Sequence, residues 1–231
     1  MPDSTRIYAV GDIHGRPDLL DSVLARIDAD MEADPAPNAI RIFLGDYIDR
    51  GPDSKGVLDR LVDHGAAQPT VCLMGNHEAF LREFLENPHV LPVWRRCGGL
   101  ETLLSYGLVP EIGTDPQNRR ELSSEFDRML PSSHREFLSD LKPYFICGDF
   151  FFVHAGVRPG VCLTKQSEDD LLWIREDFLL SKSDFGKVIV HGHTPVLEPD
   201  VRSNRINIDT GAYATGRLTC LVLENDKIRF I

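Results

Sequence analysis

Apolar positions in the first half of the chain alternate between two periods. The run RIYAV (6–10) is short, β-rich and continuously apolar, and it stops at GDIHG. Pro17 then opens a stretch in which Leu19, Leu20, Val23, Leu24 and Ile27 recur at helical spacing. A loop rich in Pro, Ala and Asp over residues 31–39 leads to a second apolar run, IRIFL (40–44), which breaks into GDYIDRG. Val57, Leu58, Leu61 and Val62 predict a second helix, with His64-Gly65 as its C-terminal stop. A third strand, TVCLM (70–74), ends in GNHE. Strand, helix, strand, helix, strand predicts parallel pairing with right-handed crossovers.

Residues 79–142 follow a different pattern. They are mostly helical and charged, interrupted by CGG, YGLVP and GTDPQN, which predicts a helical insertion beside the sheet within one domain spanning 1–231. The second half turns to β. YFIC and FFFVHAG predict a hairpin across Gly148-Asp149, and KVIVHGHT, RINIDTGA and a terminal pair turning at Asn225-Asp226 follow. The expected fold class is α/β, a two-sheet β-sandwich flanked by helices.

Composition narrows the function classes. A chain of 231 residues fills one domain core, and a net charge of −11 argues against a nucleic-acid backbone or an anionic membrane as partner. No apolar run approaches the roughly 20 residues needed to cross a bilayer. The N-terminal MPDSTRIYAVGD lacks a basic stretch followed by a long apolar core, so no secretory signal is expected. The five cysteines are scattered without a C-x-x-C pair, which argues against zinc ribbons and thioredoxin-like sites and fits a reducing cytoplasm.

The polar residues that carry chemistry share one kind of position. Five apolar runs each end in a small-residue turn bearing Asp, His or Asn: Asp12 and His14, Asp46 and Asp49, Asn76 and His77, His154, and His191 with His193. The carboxyl ends of strands in open α/β sheets form the ligand crevice. Carboxylates, imidazoles and an amide oxygen, with no thiolate, suit a hard or borderline divalent cation. Two carboxylates at one strand end repel unless positive charge lies between them, and Asp46 can offer one oxygen to each of two ions. Singly, each residue has a plain reading: a capping Asp12, a turn Asn76, a core His154, a Glu78 at the positive end of a helix. The coincidence of five strand ends is what points to metal. His64 is expected as a helix C-terminal cation, and His89 and His134 as surface residues.

In this order, GDIHG, GDYIDRG, GNHE, HAG and HGHT resemble the phosphoprotein phosphatase family of calcineurin-like metallophosphoesterases, above all its small bacterial and phage serine/threonine phosphatase branch. The motifs span residues 11–194, and the insertion matches only loosely. The resemblance implies that Asp12, His14 and Asp46 hold one divalent metal and that Asp46, Asn76, His154 and His193 hold another. It implies manganese, with iron or zinc as alternatives. His191 shares a face with His193 on an extended strand, and the Gly-His-Thr context favours His193 as the ligand. Two metals sharing a water would attack phosphorus directly, with no covalent phosphoenzyme. Arg50 would bind phosphate oxygens with its fork, and Arg175, in the amphipathic helix LLWIRED, resembles a second phosphate arginine. His77 would protonate the leaving oxygen, oriented by Asp49. The implied substrate is phosphoserine or phosphothreonine, and also phosphotyrosine, in a protein or peptide. Symmetrical dinucleoside polyphosphate hydrolases share the scaffold but typically lose the second Asp of GDYIDRG, so Asp49 favours phosphomonoesters. The remaining alternative is a non-catalytic metal-binding scaffold.

Overall fold

The computed structural model describes residues 5–110 and 115–231. The three apolar runs of the first half form β1 (Thr5–Val10), β2 (Asn38–Phe43) and β3 (Thr70–Cys72), paired in parallel. Their crossovers are α1 (Pro17–Ala33) and α2 (Ser54–Ala67). Five helices follow: α3 (Asn76–Glu86), α4 (Leu91–Arg96), α5 (Gly99–Ser105), α6 (Pro116–Met129) and α7 (Ser132–Asp140). The second half supplies β4 (Tyr144–Cys147), β5 (Phe150–Val153), α8 (Glu168–Trp173), α9 (Glu176–Leu179), β6 (Val188–His191), β7 (Asp200–Val201), β8 (Arg205–Asn207), α10 (Ala212–Thr215), β9 (Cys220–Glu224) and β10 (Lys227–Phe230).

The strands build two sheets, ordered β10-β9-β1-β2-β3 and β4-β5-β6-β8-β7. In each, three parallel strands lie beside antiparallel partners: β9 against β1 in the first, β4 and β7 at the edges of the second. Alternation along the strands sorts the core into layers. Ile7, Ala9 and Ile42 face Phe150, Phe152, Val190 and Ile206 between the sheets. Tyr8, Val10 and Phe43 face α1 and α2 through Leu20, Val23, Ile27 and Val57. On the outer face of the second sheet, Phe151, Val153 and Ile189 meet Leu171, Ile174 and Phe178. The two predicted hairpin turns fall where expected, at Gly148-Asp149 and Asn225-Asp226. Among the described residues no helix is long and apolar enough to cross a membrane, and all five cysteines are unpaired.

Three local expectations change. Helix α2 runs through Gly65 to Ala67, and Gln68 caps it with its N–H on the His64 carbonyl, so His64-Gly65 is no stop. His64 does lie in the last turn of α2, but it is half-buried with its ring edge-on to Phe43, and burial lowers its pKa, which disfavours the cation expected there. His134 is buried, bonded to the Tyr106 hydroxyl at 2.7 Å and to Asp59 at 3.0 Å, and so joins α7 to α5 and α2 instead of lying on the surface. His89 is exposed, as expected. Of the GTDPQN break, Gly113 and Thr114 lie outside the described residues, and Asp115 caps α6 by accepting from Gln117 N at 2.8 Å.

Candidate functional site

Parallel strands in both sheets deliver their C-terminal ends to one crevice, and the chain there is held in costly conformations. Six non-glycine residues among those described have positive φ, and five of them are His14, Asp46, Asp49, Arg50 and His193. Such backbone persists only where its surroundings over-determine it, and it concentrates at functional sites. The small-residue turns follow from close approach: a Cβ on Gly75 would lie 2.7 Å from Glu78 Oε2 and nearer still to the Asp46 amide and carboxylate.

Asp46 stands between two groups of ligand-type atoms, one with His14 and His77 and one with His154 and His193. His154 Nδ1 lies 3.0 Å from the Leu44 carbonyl and so donates there, which leaves Nε2 with a free lone pair. That Nε2 is 2.8 Å from Asn76 Oδ1, 3.2 Å from His193 Nδ1 and 3.4 Å from Asp46 Oδ1. No proton separates His154 Nε2 from Asn76 Oδ1, so two acceptors face each other at hydrogen-bond distance, the arrangement that a shared cation satisfies. His14 repeats the pattern: Nδ1 donates to the Ile48 carbonyl at 2.9 Å, and Nε2 lies 3.5 Å from Asp46 Oδ2. Burial disfavours the charged form of three of these imidazoles, lowering His154 and bringing His14 to about 3 and His193 to about 2. Asp12 joins the group through its Oδ2, which accepts from His193 N at 3.1 Å, while its Oδ1 and His193 Nε2 are buried with no hydrogen-bond partner. Burial first, then Asp209 and Asp46, push Asp12 well up, a repulsion that bound cations would relieve. The oxygen and nitrogen donor set therefore fits divalent metal.

Beside these ligand-type groups lie the polar residues expected to handle phosphate. His77 Nδ1 is 2.6 Å from Asp49 Oδ2, and Asp49 is fully buried. Burial opposes charge on His77, but Asp46 and Asp49 outweigh it and raise its pKa. The Arg50 fork donates from Nη1 to His14 Nε2 at 3.0 Å, and its Nη2 lies 3.1 Å from His77 Nε2, with its carbon 4.9 Å above the Tyr213 ring. Arg175 is not in an amphipathic helix. It sits in the break between α8 and α9, exposed, with Nη1 3.3 Å from Thr194 Oγ1 next to His193. His191 does not share a face with His193, because the chain leaves extended geometry at Gly192 and His193 has φ +65°. His191 turns away from the ligand-type atoms into the outer core, edge-on to Phe178 at 4.9 Å.

Three more residues belong to the crevice. Glu78 is buried and accepts four backbone N–H groups, from Asp46, Gly75, Tyr47 and Ile48, which fastens the Asp46 turn to the start of α3. Asp209, after β8, is buried and accepts from Gly211 N at 2.9 Å; burial pushes it up to about 6. RINIDTGA ends like the other five runs, so Asp209 had a sequence signal. Tyr213, edge-on to His14 at 5.4 Å, had none.

The calcineurin-like phosphoesterase family model matches residues 5–228. The chain is 27% identical to an asymmetrical bis(5'-nucleosyl)-tetraphosphatase PrpE of Anoxybacillus flavithermus, covering 92% of this chain and 88% of that one. It is 31% identical to a zinc-dependent endopolyphosphatase of Saccharomyces cerevisiae over 65% of this chain and 47% of the relative. Among solved structures, a putative diadenosine tetraphosphatase superposes with a TM-score of 0.66 at 19% identity, over 100% of this chain and 94% of that one. A cold-active protein-tyrosine phosphatase of a psychrophilic Shewanella superposes at 0.65 and 17% identity, over 100% and 80%. These two likenesses show the fold. With a family model spanning nearly its whole length, the chain belongs to the calcineurin-like phosphoesterases.

Proposed function

We propose that the protein is a metal-dependent phosphomonoesterase that removes phosphate from serine or threonine, and also tyrosine, in proteins by direct hydrolysis. The observation that carries this reading is the His77–Asp49 contact at 2.6 Å, set beside the Arg50 fork and the converged acceptors around Asp46. Asp12, His14 and Asp46 on one side, and Asp46, Asn76, His154 and His193 on the other, would hold two divalent ions, whose chemistry is Lewis-acid stabilisation of the phosphoryl group and activation of water. Manganese is the proposed ion, and iron or zinc would suit the same donors. Arg50 binds two phosphate oxygens, and Arg175 reaches the same group from the α8–α9 break. His77 gives its Nε2 proton to the leaving oxygen, while Asp49 holds the opposite ring nitrogen and keeps the imidazole charged.

Charge around the crevice favours a peptide. A cavity of about 420 Å³ between α3 and α8 is lined by Phe80, Trp173, Glu83, Glu86, Glu168 and Asp169, with Arg82 the cation among them, and it adjoins the crevice through Phe80, edge-on to His77, and Trp173, edge-on to His193. Such a rim, on a chain of net charge −11, repels a second run of phosphates and accepts basic residues beside a phosphorylated one. It equally disfavours nucleic acid and anionic membrane, and five unpaired cysteines suit the cytoplasm. A second reading is supported by the PrpE relatives, whose name would carry dinucleoside tetraphosphate to this site, cut asymmetrically rather than symmetrically. Phosphate release by metal-reconstituted protein, offered phosphopeptides and diadenosine tetraphosphate side by side, tests the choice. Faster turnover of the dinucleotide would reverse it, and no turnover of either with metal bound would leave a binding scaffold.

A further inference from the structure

The helical insertion reaches into the crevice at one point. Trp94 of α4 and Thr102 of α5 are both fully buried. The Trp94 indole N–H donates to Asp49 Oδ2 at 2.7 Å, and the Thr102 hydroxyl donates to Asp49 Oδ1 at 2.5 Å. Thr102 Oγ1 also accepts from the Asp49 amide at 2.9 Å, an amide shared with Ser54 Oγ at the same distance. One residue further, the Arg50 amide donates to the Gly98 carbonyl between the two helices at 3.2 Å. Asp49 and Arg50 have φ of +71° and +66°, so the backbone that the insertion grips is the backbone that most needs holding. The Trp94 ring has little freedom to leave, packed between Phe84 at 5.0 Å and Phe126 at 6.4 Å.

We infer that Trp94 and Thr102 are positioning residues that fix the Asp49 carboxylate so that it can hold His77. A carboxylate torsion is soft by itself, with a broad and roughly two-fold profile. Here Oδ1 is pinned by a hydroxyl, and Oδ2 is pinned by an indole N–H from one side, which leaves its remaining lone pair aimed at His77 Nδ1. Without the indole, Oδ2 can rotate off the imidazole, and the His77 ring loses the contact that orients it. The insertion then does more than shape the entrance: it completes the proton-donating pair. This inference rests on the reading of His77 as proton donor.

The test compares metal-reconstituted Trp94→Phe, Thr102→Val, Thr102→Ser and His77→Ala on two substrates. p-Nitrophenyl phosphate has a leaving group that departs without a proton, and phenyl phosphate has one that needs it. Trp94→Phe keeps an aromatic ring and loses the N–H, and Thr102→Val keeps the shape and loses the hydroxyl. Each is expected to lower kcat on phenyl phosphate roughly tenfold, the size of one hydrogen bond to a charged group, and to leave nitrophenyl phosphate within about twofold. Thr102→Ser, which keeps the hydroxyl, should recover most of the loss. If Trp94→Phe does not fold, the Thr102 pair carries the test alone. Equal losses on both substrates, or no loss on either, while His77→Ala still separates them, would overturn the inference. If His77→Ala itself loses equally on both, the proton-donor reading falls and takes this one with it.

Discussion

Gly75→Ala puts a single methyl group between the two segments that build the crevice. The glycine backbone, at φ −101° and ψ 168°, suits alanine, so any penalty is steric. The new Cβ would meet Glu78 Oε2 at 2.7 Å and the Asp46 amide and carboxylate closer still. Ordinary contact requires the start of α3 and the Asp46 turn to part by about 1 Å. His77 N to Asp46 Oδ1, now 3.1 Å, and Asp46 N to Glu78 Oε2, now 2.9 Å, would then both exceed hydrogen-bond range. Each buried amide left without an acceptor costs about 1–3 kcal/mol, so the two together cost about 2–6 kcal/mol. In a chain of this size that corresponds to a fall in Tm of roughly 5–20 °C. The same displacement carries Asn76 away from His154 and His193, and loss of support for a metal ligand typically weakens binding about 10–100-fold. Thermal unfolding of the metal-free protein and manganese titration by calorimetry measure the two effects separately. Gly65→Ala is the internal control: it lies in α2 with nothing within 4 Å of the added carbon, and should stabilise by up to about 1 kcal/mol. A Gly75→Ala protein with wild-type Tm and wild-type metal affinity would refute the packing argument.

What the sequence disclosed and what it hid divide along a physical line. A parallel strand buried on both faces is a continuous apolar run, and one that delivers a ligand must stop at a turn tight enough for backbone to meet backbone. Both properties are local, so β1, β2, β3, β5 and β6 were legible together with Asp12, His14, Asp46, Asn76, His154 and His193, which the structure brings to one place. Asp209 obeys the same rule at the end of β8. Long-range contacts left no such trace. Trp94 and Thr102 meet Asp49 across 45 and 53 residues of chain, and nothing in LPVWRR or GLETLLS marks them. Glu78 reads as a good residue for a helix start, and it does cap α3, but only the fold brings it the Tyr47 and Ile48 amides. The helical reading of LLWIRED fails at Ile174, whose φ −59° and ψ 140° end α8 and free Arg175 to turn toward Thr194.

Three further outcomes follow from the same contacts. Stripping metal with a chelator should abolish turnover and, because the ligands converge only in the folded chain, remove about 2.7 kcal/mol of stability relative to protein at a hundredfold excess of metal over Kd; full activity in verified metal-free protein would refute the ligand assignment. Arg50→Lys keeps the charge but loses the fork and its place over Tyr213, so KM for phosphopeptide should rise roughly tenfold; an unchanged KM would mean that Arg50 does not touch phosphate. Far from the crevice, Asp30 ties α1 to both β1 and β10, accepting from the Tyr8 hydroxyl at 2.6 Å and from both Arg229 nitrogens at 2.6 and 2.5 Å. The Arg229 hydrogen bonds, against burial, hold its pKa below the ordinary value. A carboxylate lowered by folding stabilises above its unfolded pKa and stops doing so as pH falls through the folded one. Urea unfolding should therefore show Asp30→Asn less stable by about 1–3 kcal/mol at neutral pH, with a gap that is flat down to roughly pH 5 and closes below about pH 4. A gap that widened in acid would mean that the Arg229 contact is not what holds this corner together.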